Sequence, residues 1–193
     1  MIVTAMLSLG FLSFAQEDAV EEQLDVVPQA LKNATYVNKA KPNLKAKIYF
    51  VYQSRSKCSI CVSETPELIK EYKKMKRRGC EMVMMNVDSS PEVAAEWAKN
   101  SKMEFPVMSP AMCLRAGIPW EYTGTNLLPC MIAMTPDGTK LAEAGGSQVS
   151  ELVKDWKKLL NRLRKEEAKE KAAAKKAEKK KGKKKSSSEE DEE

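Results

Sequence analysis

Cys58 and Cys61 stand three residues apart, behind the apolar run Ile48-Tyr49-Phe50-Val51-Tyr52 and ahead of a helix-like stretch, Val62-Ser63-Glu64-Thr65-Pro66-Glu67-Leu68. A C-x-x-C pair where a strand hands over to a helix suits dithiol–disulfide chemistry, because the unpaired N–H groups of a helix N-terminus stabilise a thiolate. The chain contains no histidine. That excludes Ser-His and Cys-His catalysis and any zinc site built on imidazole. Three readings of the pair stay open: a redox centre, a structural disulfide, or half of a thiolate-only zinc site. The last would need two of Cys80, Cys113 and Cys130 nearby.

The elements that must position the pair follow from apolar spacing. A helix is expected from Pro28 to about Lys39, with Val27, Leu31, Ala34 and Val37 near one face. Ala46 to Tyr52 and Glu81 to Asp88 are continuous apolar runs, as in strands buried on both faces. Between them a helix runs from about Cys58 to Arg78, with Pro66 inside it and Gly79 closing it. Ser89-Ser90-Pro91 caps a further helix to about Lys102, with Val93, Ala94, Trp97 and Ala98 inward. Phe105 to Met108 is a short extended piece, and residues 109–122 are irregular. Met131 to Met134 and Lys140 to Ala144 form a hairpin across Pro136-Asp137-Gly138. Val149, Leu152, Val153, Trp156, Leu159, Leu160 and Leu163 draw one last amphipathic helix. Helices between the early strands imply a parallel portion, and the closing hairpin adds antiparallel strands. The fold class is α/β, a sandwich with a mixed central sheet flanked by helices.

In this order the motifs resemble the thioredoxin superfamily, and within it the TlpA/ResA-type exported thiol–disulfide oxidoreductases. Cys58, Cys61, Glu64, Pro66 and Leu68 match the family's C-x-x-C-x-x-E-x-P-x-L. Residues 79–88, G-C-E-M-V-M-M-N-V-D, are similar to its second strand, and Phe105-Pro106-Val107 to its F-P-V. Residues 129–138, P-C-M-I-A-M-T-P-D-G, stand where the family has its cis-proline strand and D-G hairpin. The resemblance spans about residues 46–160. The departures are Lys57 in place of a tryptophan, Ser59-Ile60 as the inner dipeptide, and Tyr52 where thioredoxin has a buried acid.

The resemblance implies a thioredoxin-like fold and an enzyme that exchanges disulfides with cysteines of other extracytoplasmic proteins. Cys58 would attack, with Lys57 and Arg55 beside it favouring the thiolate, and Cys61 would resolve the mixed disulfide. Glu64 would adjust the cysteines' protonation. Pro129, as a cis-proline, would expose the backbone of Leu128 for strand-like pairing with substrate. The alternative is a redox-inactive thioredoxin-like binding module whose cysteine pair is structural. Cys80 reads as a buried free thiol, and Cys113 could pair with Cys130. No cofactor and no metal are expected. The partners are protein thiols or disulfides and an upstream electron donor or acceptor protein.

The termini are compositionally distinct. Residues 1–15 carry no charge, and Ser13-Phe14-Ala15 before Gln16-Glu17-Asp18 is a plausible signal-peptidase site. Export to the periplasm or another extracytoplasmic space is the expectation, with membrane association if the signal stays uncleaved. Residues 162–185 hold 13 Lys/Arg against 4 Glu, and the last five residues are acidic. Residues 162–193 therefore carry +4 of the net charge of +6, and the rest of the chain is near neutral. A weak contact with an anionic surface fits the lysines, and specific nucleic-acid recognition does not, because no aromatics interleave with them. The expected organisation is a signal peptide (1–15), an extension with one helix (16–45), a thioredoxin-like domain (46–161) and a Lys-rich helical then acidic tail (162–193).

Overall fold

In a computed structural model, residues 25–112, 116–124 and 128–186 are described. Residues 1–15, expected to form a signal segment, and the acidic end of the tail lie outside them. The chain order is α1 (Val26–Asn33), β1 (Ile48–Ser54), α2 (Ser59–Lys76), β2 (Cys80–Asn86), α3 (Pro91–Asn100), β3 (Val107–Met108), β4 (Cys130–Met134), β5 (Lys140–Gly145), α4 (Val149–Lys154) and α5 (Trp156–Ser186). One five-stranded sheet runs β3-β2-β1-β4-β5. β1 pairs parallel to β2 and antiparallel to β4, so the expected mixed sheet is present with β1 at its centre.

β1 alternates between two cores, as side chains with a two-residue period must when both faces are covered. Ile48, Phe50 and Tyr52 face one cluster, with Leu68 and Tyr72 of α2 and Val153, Trp156 and Leu160 of α4 and α5. Tyr49 and Val51 face the other, with Val27 and Leu31 of α1, Val83 of β2 and Ile132 of β4. Segment 116–122 completes that second layer through Ala116, Ile118, Trp120 and Tyr122.

Three expected elements are corrected. α1 ends at Asn33 rather than near Lys39, because the next residues cover the outer edge of β3. Tyr36 bridges Met108, Val37 N donates to Val107 O at 2.9 Å, and Asn38 clasps Phe105 O (2.8 Å) and Val107 N (3.1 Å). Closing an exposed sheet edge outweighs continuing a helix with an ordinary propensity. β1 begins two residues later than the apolar run and continues through Gln53 and Ser54. The last amphipathic helix is two helices: Asp155, with φ −79° and ψ 3°, interrupts it. Trp156 follows at 4 % exposure, and its Nε1 donates to Glu71 Oε2 of α2 at 3.3 Å. α5 then passes Gly182 and reaches Ser186.

The other end of the sheet is held by a buried acid. Glu81 is wholly buried and accepts from Asn43 N (2.6 Å), Tyr72 Oη (2.9 Å) and Met82 N (2.9 Å). Burial pushes its carboxyl above the usual carboxylate range, against the pull of these donors. Tyr72 also meets Phe105 edge-to-face at 5.6 Å. Replacing Tyr72 by Phe keeps that ring contact and removes one donor from a buried carboxyl, at a cost of about 1–3 kcal/mol. Urea denaturation should show a lower midpoint with an unchanged m-value.

Candidate redox site

Cys58 is the N-cap of α2. Its backbone is extended (φ −95°, ψ 114°), and its sulfur accepts from Cys61 N at 3.2 Å. The sequence forms this cap because Ser54 ends β1 and a three-residue turn, Arg55 to Lys57, leads straight to the helix. Within the turn Cys58 N donates to Arg55 O at 3.3 Å. Cys58 and Cys61 are joined as a disulfide with Cα atoms 5.1 Å apart. Cys61 is wholly buried, whereas Cys58 is half-buried. Three residues along a helix place Cys61 one turn in, below the exposed face, and burial separates the two sulfurs' access to solvent.

Pro129 lies against this pair. The Leu128–Pro129 bond is cis, and Leu128 O is 3.5 Å from Cys58 Sγ. Pro129 is buried, and its carbonyl accepts from Gly146 N at 2.8 Å. Tyr122 of the middle segment reaches the same corner: a side chain at Gly145 would displace its phenol oxygen. Glu64 holds a contact that the sequence did not suggest. Its Oε2 accepts from Ser150 N at 2.9 Å, in the first turn of α4. A carboxylate on a helix N-terminus is favoured by the unpaired N–H groups there. Glu64 thus ties α2 to α4. Arg55 and Lys57 are exposed.

Below Cys61 the site contains hydroxyls where an acid was missing. Tyr52 is wholly buried and accepts from Ser54 Oγ at 2.9 Å. Thr65 Oγ1 donates to Cys61 O at 2.7 Å. Burial pushes the Tyr52 phenol far above its ordinary value, and the charges of Glu64 and Cys130 push the same way. Tyr52 therefore stays protonated and can bond a neighbour without exchanging a proton with it.

Cys80 and Cys130 are buried free thiols. Cys130 Sγ donates to Gln53 Oε1 at 3.4 Å across the β1–β4 pair. Cys113 lies outside the described residues, so its pairing with Cys130 does too. Among the described residues, no group of three or more His, Cys, Asp or Glu side chains could hold a metal ion.

Sequence reasoning assigned no role to Ser56, Asn86 and Asp88, which form one network under the Cys58 turn. The signal was present in the N-V-D that ends β2, but which turn it would face depends on the parallel pairing of β1 with β2.

Two outcomes follow from the site. Replacing Glu64 by Ala should cost about 0.5–2 kcal/mol as a lost helix cap, read as a lower thermal midpoint with the C-x-x-C pair still oxidisable. Burial raises the Cys80 thiol to about 12 and the Cys130 thiol to about 11, well above the ordinary thiol value. Folded values above the unfolded ones mean full stability below about pH 9 and a loss as pH rises toward 11. Denaturation measured from pH 7 to 11 should show that decline, and serine at Cys130 should reduce it.

Residues 26–112 match the family model described as the AhpC/TSA family. No curated protein matches the chain. Among solved structures it is similar to a thioredoxin family thiol:disulfide interchange protein from Chlorobium tepidum TLS, at 21% identity and TM-score 0.49 over 62% of this chain and 90% of that one. StoA from Bacillus subtilis is similar at 19% identity and TM-score 0.48, covering 58% and 84%. Tryparedoxin I from Crithidia fasciculata is similar at 24% identity and TM-score 0.46, covering 57% and 74%. With its C-x-x-C pair at the head of α2 and its β3-β2-β1-β4-β5 sheet, the chain has a thioredoxin-like fold, and over residues 26–112 it is similar to the AhpC/TSA family.

Proposed function

We propose that the protein is a thiol–disulfide oxidoreductase acting through Cys58 and Cys61 on cysteines of other proteins. The observation that carries this is the disposition of the two sulfurs: one at a helix N-cap and reachable, the other bonded to it and buried. In the reducing direction the Cys58 thiolate attacks one sulfur of a client disulfide. The client's other sulfur leaves as thiolate and takes up a proton. Cys61, deprotonated, then attacks Cys58 Sγ, closes the Cys58–Cys61 disulfide and releases the client's second thiolate. Two electrons pass to the client. A donor dithiol protein restores the reduced pair, and an acceptor would serve the reverse direction.

The half-buried Cys58 beside the carbonyl of Leu128 supports docking of an extended client segment at Leu128 and Pro129. There the client backbone would find a strand-like edge. In this reading Glu64 acts on the pair through the α2–α4 contact it holds. The uncharged residues 1–15 and their small-residue cleavage pattern support an exported protein. The lysines of α5 support a weak contact with anionic surfaces.

The test is a trap. Serine at Cys61 leaves Cys58 able to attack and removes the thiol that resolves, so mixed disulfides with client proteins should accumulate and vanish on adding dithiothreitol. Serine at Cys58 should bring disulfide reduction of insulin to background. An unmodified protein without insulin reductase activity, whose Cys58 titrates near the ordinary 8.5, would sink the proposal.

A further inference from the structure

Asp88 follows β2 by two residues and lies under the turn that leads to Cys58. Its carboxylate takes nearly all of its hydrogen bonds from one residue. Oδ1 accepts from Ser56 N (3.0 Å) and Ser56 Oγ (2.8 Å), and Oδ2 from Ser56 N (3.1 Å) and Asn86 Nδ2 (2.8 Å). Asn86, wholly buried, returns the contact by accepting from Asp88 N at 2.8 Å. Val87 N donates to Ser54 O at 3.0 Å, so the residue before the turn and Ser56 in its middle are both moored to the end of β2.

We infer that Asp88, acting through Ser56, is a positioning residue that holds the Cys58 sulfur on the N-terminus of α2. This rests on the proposed role of Cys58 as the attacking thiol. Ser56 is two residues from Cys58, a backbone reach of at most about 7 Å. Short turns of this kind transmit displacement because they have few soft dihedrals to absorb it. The stabilisation of a Cys58 thiolate falls off within the first turn of the helix, so a small shift of the turn is felt at the sulfur.

The clamp and the charge of Asp88 act in opposite directions, which makes the inference decidable. A bare carboxylate near Cys58 disfavours the thiolate, so removing it would speed alkylation. A clamp favours the thiolate, so removing it would slow alkylation. The other charged groups of the turn, Arg55 and Lys57, are exposed and unchanged in the comparison.

The experiment uses the full chain, reduced, with iodoacetamide as probe. Cys58 labelling is followed by mass spectrometry from pH 5 to 10, and thermal stability is measured alongside. Asp88→Ala should slow Cys58 alkylation at pH 7 by about tenfold and raise its apparent pKa by about one unit. Asp88→Asn keeps one acceptor oxygen for Ser56 and loses the charge, so it should react at least as fast as the unmodified protein. Ser56→Ala keeps the backbone bonds and should slow the reaction by about threefold, which decides the matter if Asp88→Ala does not fold. Faster or unchanged alkylation in Asp88→Ala overturns the inference, as does an unchanged Ser56→Ala. A lower thermal midpoint with an unaltered pH profile overturns it too, leaving Asp88 a structural residue. An ordinary Cys58 pKa in the unmodified protein is a separate result, which removes the proposed function itself.

Discussion

Everything at this site depends on the unpaired N–H groups at the start of α2 meeting a sulfur. Those groups exist because a helix cannot satisfy its own first-turn donors. Cys58 supplies the acceptor as the N-cap, a position usually held by Ser, Thr, Asp or Asn. The sulfur can be held there only if the chain reaches the helix along a fixed path. β1 provides that path, paired with β2 on one side and β4 on the other and buried on both faces. The central position of β1 thus does for the cysteine what a cap residue alone could not: it removes the freedom of the turn before it.

The surroundings of the pair are arranged asymmetrically. Toward solvent are exposed Arg55 and Lys57, the carbonyl of Leu128 and the half-buried sulfur of Cys58. Toward the core are Tyr52, Ser54 and Thr65, groups that hydrogen-bond without titrating near neutral pH. Glu64, the acid nearest the pair in sequence, is engaged by Ser150 N. Glu64, which reaches from α2 to α4, and Asp88, under the turn, both fix where elements lie.

α5 adds a different kind of feature. At 31 residues it is about 46 Å long, and its beginning, from Trp156 to Leu163, packs against the core. The lysines cluster toward the far end. Screening reduces their field within about 8–10 Å at ordinary ionic strength. In the proposed function they are the group that would meet an anionic surface.

Much of the fold was legible in the sequence because the burial of its strands is complete. Ile48 to Tyr52 and Met82 to Met85 are apolar at every position, and such runs have few alternatives to a central strand. Cys58, Cys61 and Pro66 could be placed because proline and C-x-x-C patterns act locally, through backbone geometry and helix ends, whereas Pro129 was expected near the pair only through the resemblance to the thioredoxin superfamily. The elements that were misplaced are those whose ends are decided by a distant partner. α1 stops at Asn33 because residues 36–38 pair with β3, nearly 70 positions away. The break at Asp155 delivers Trp156 to Glu71, a contact no window of sequence contains.

The same division holds in the site. The sequence by itself determined the chemistry available, a C-x-x-C pair at a strand–helix junction in a chain without histidine, because residue type and local spacing suffice for that. Tertiary structure alone decided which groups would act on the pair. It sent Glu64 to α4 and brought Leu128 to Cys58. It set Asp88 under Ser56, because sheet register, which joins residues some thirty to seventy positions apart, fixes those neighbours and is invisible to local pattern.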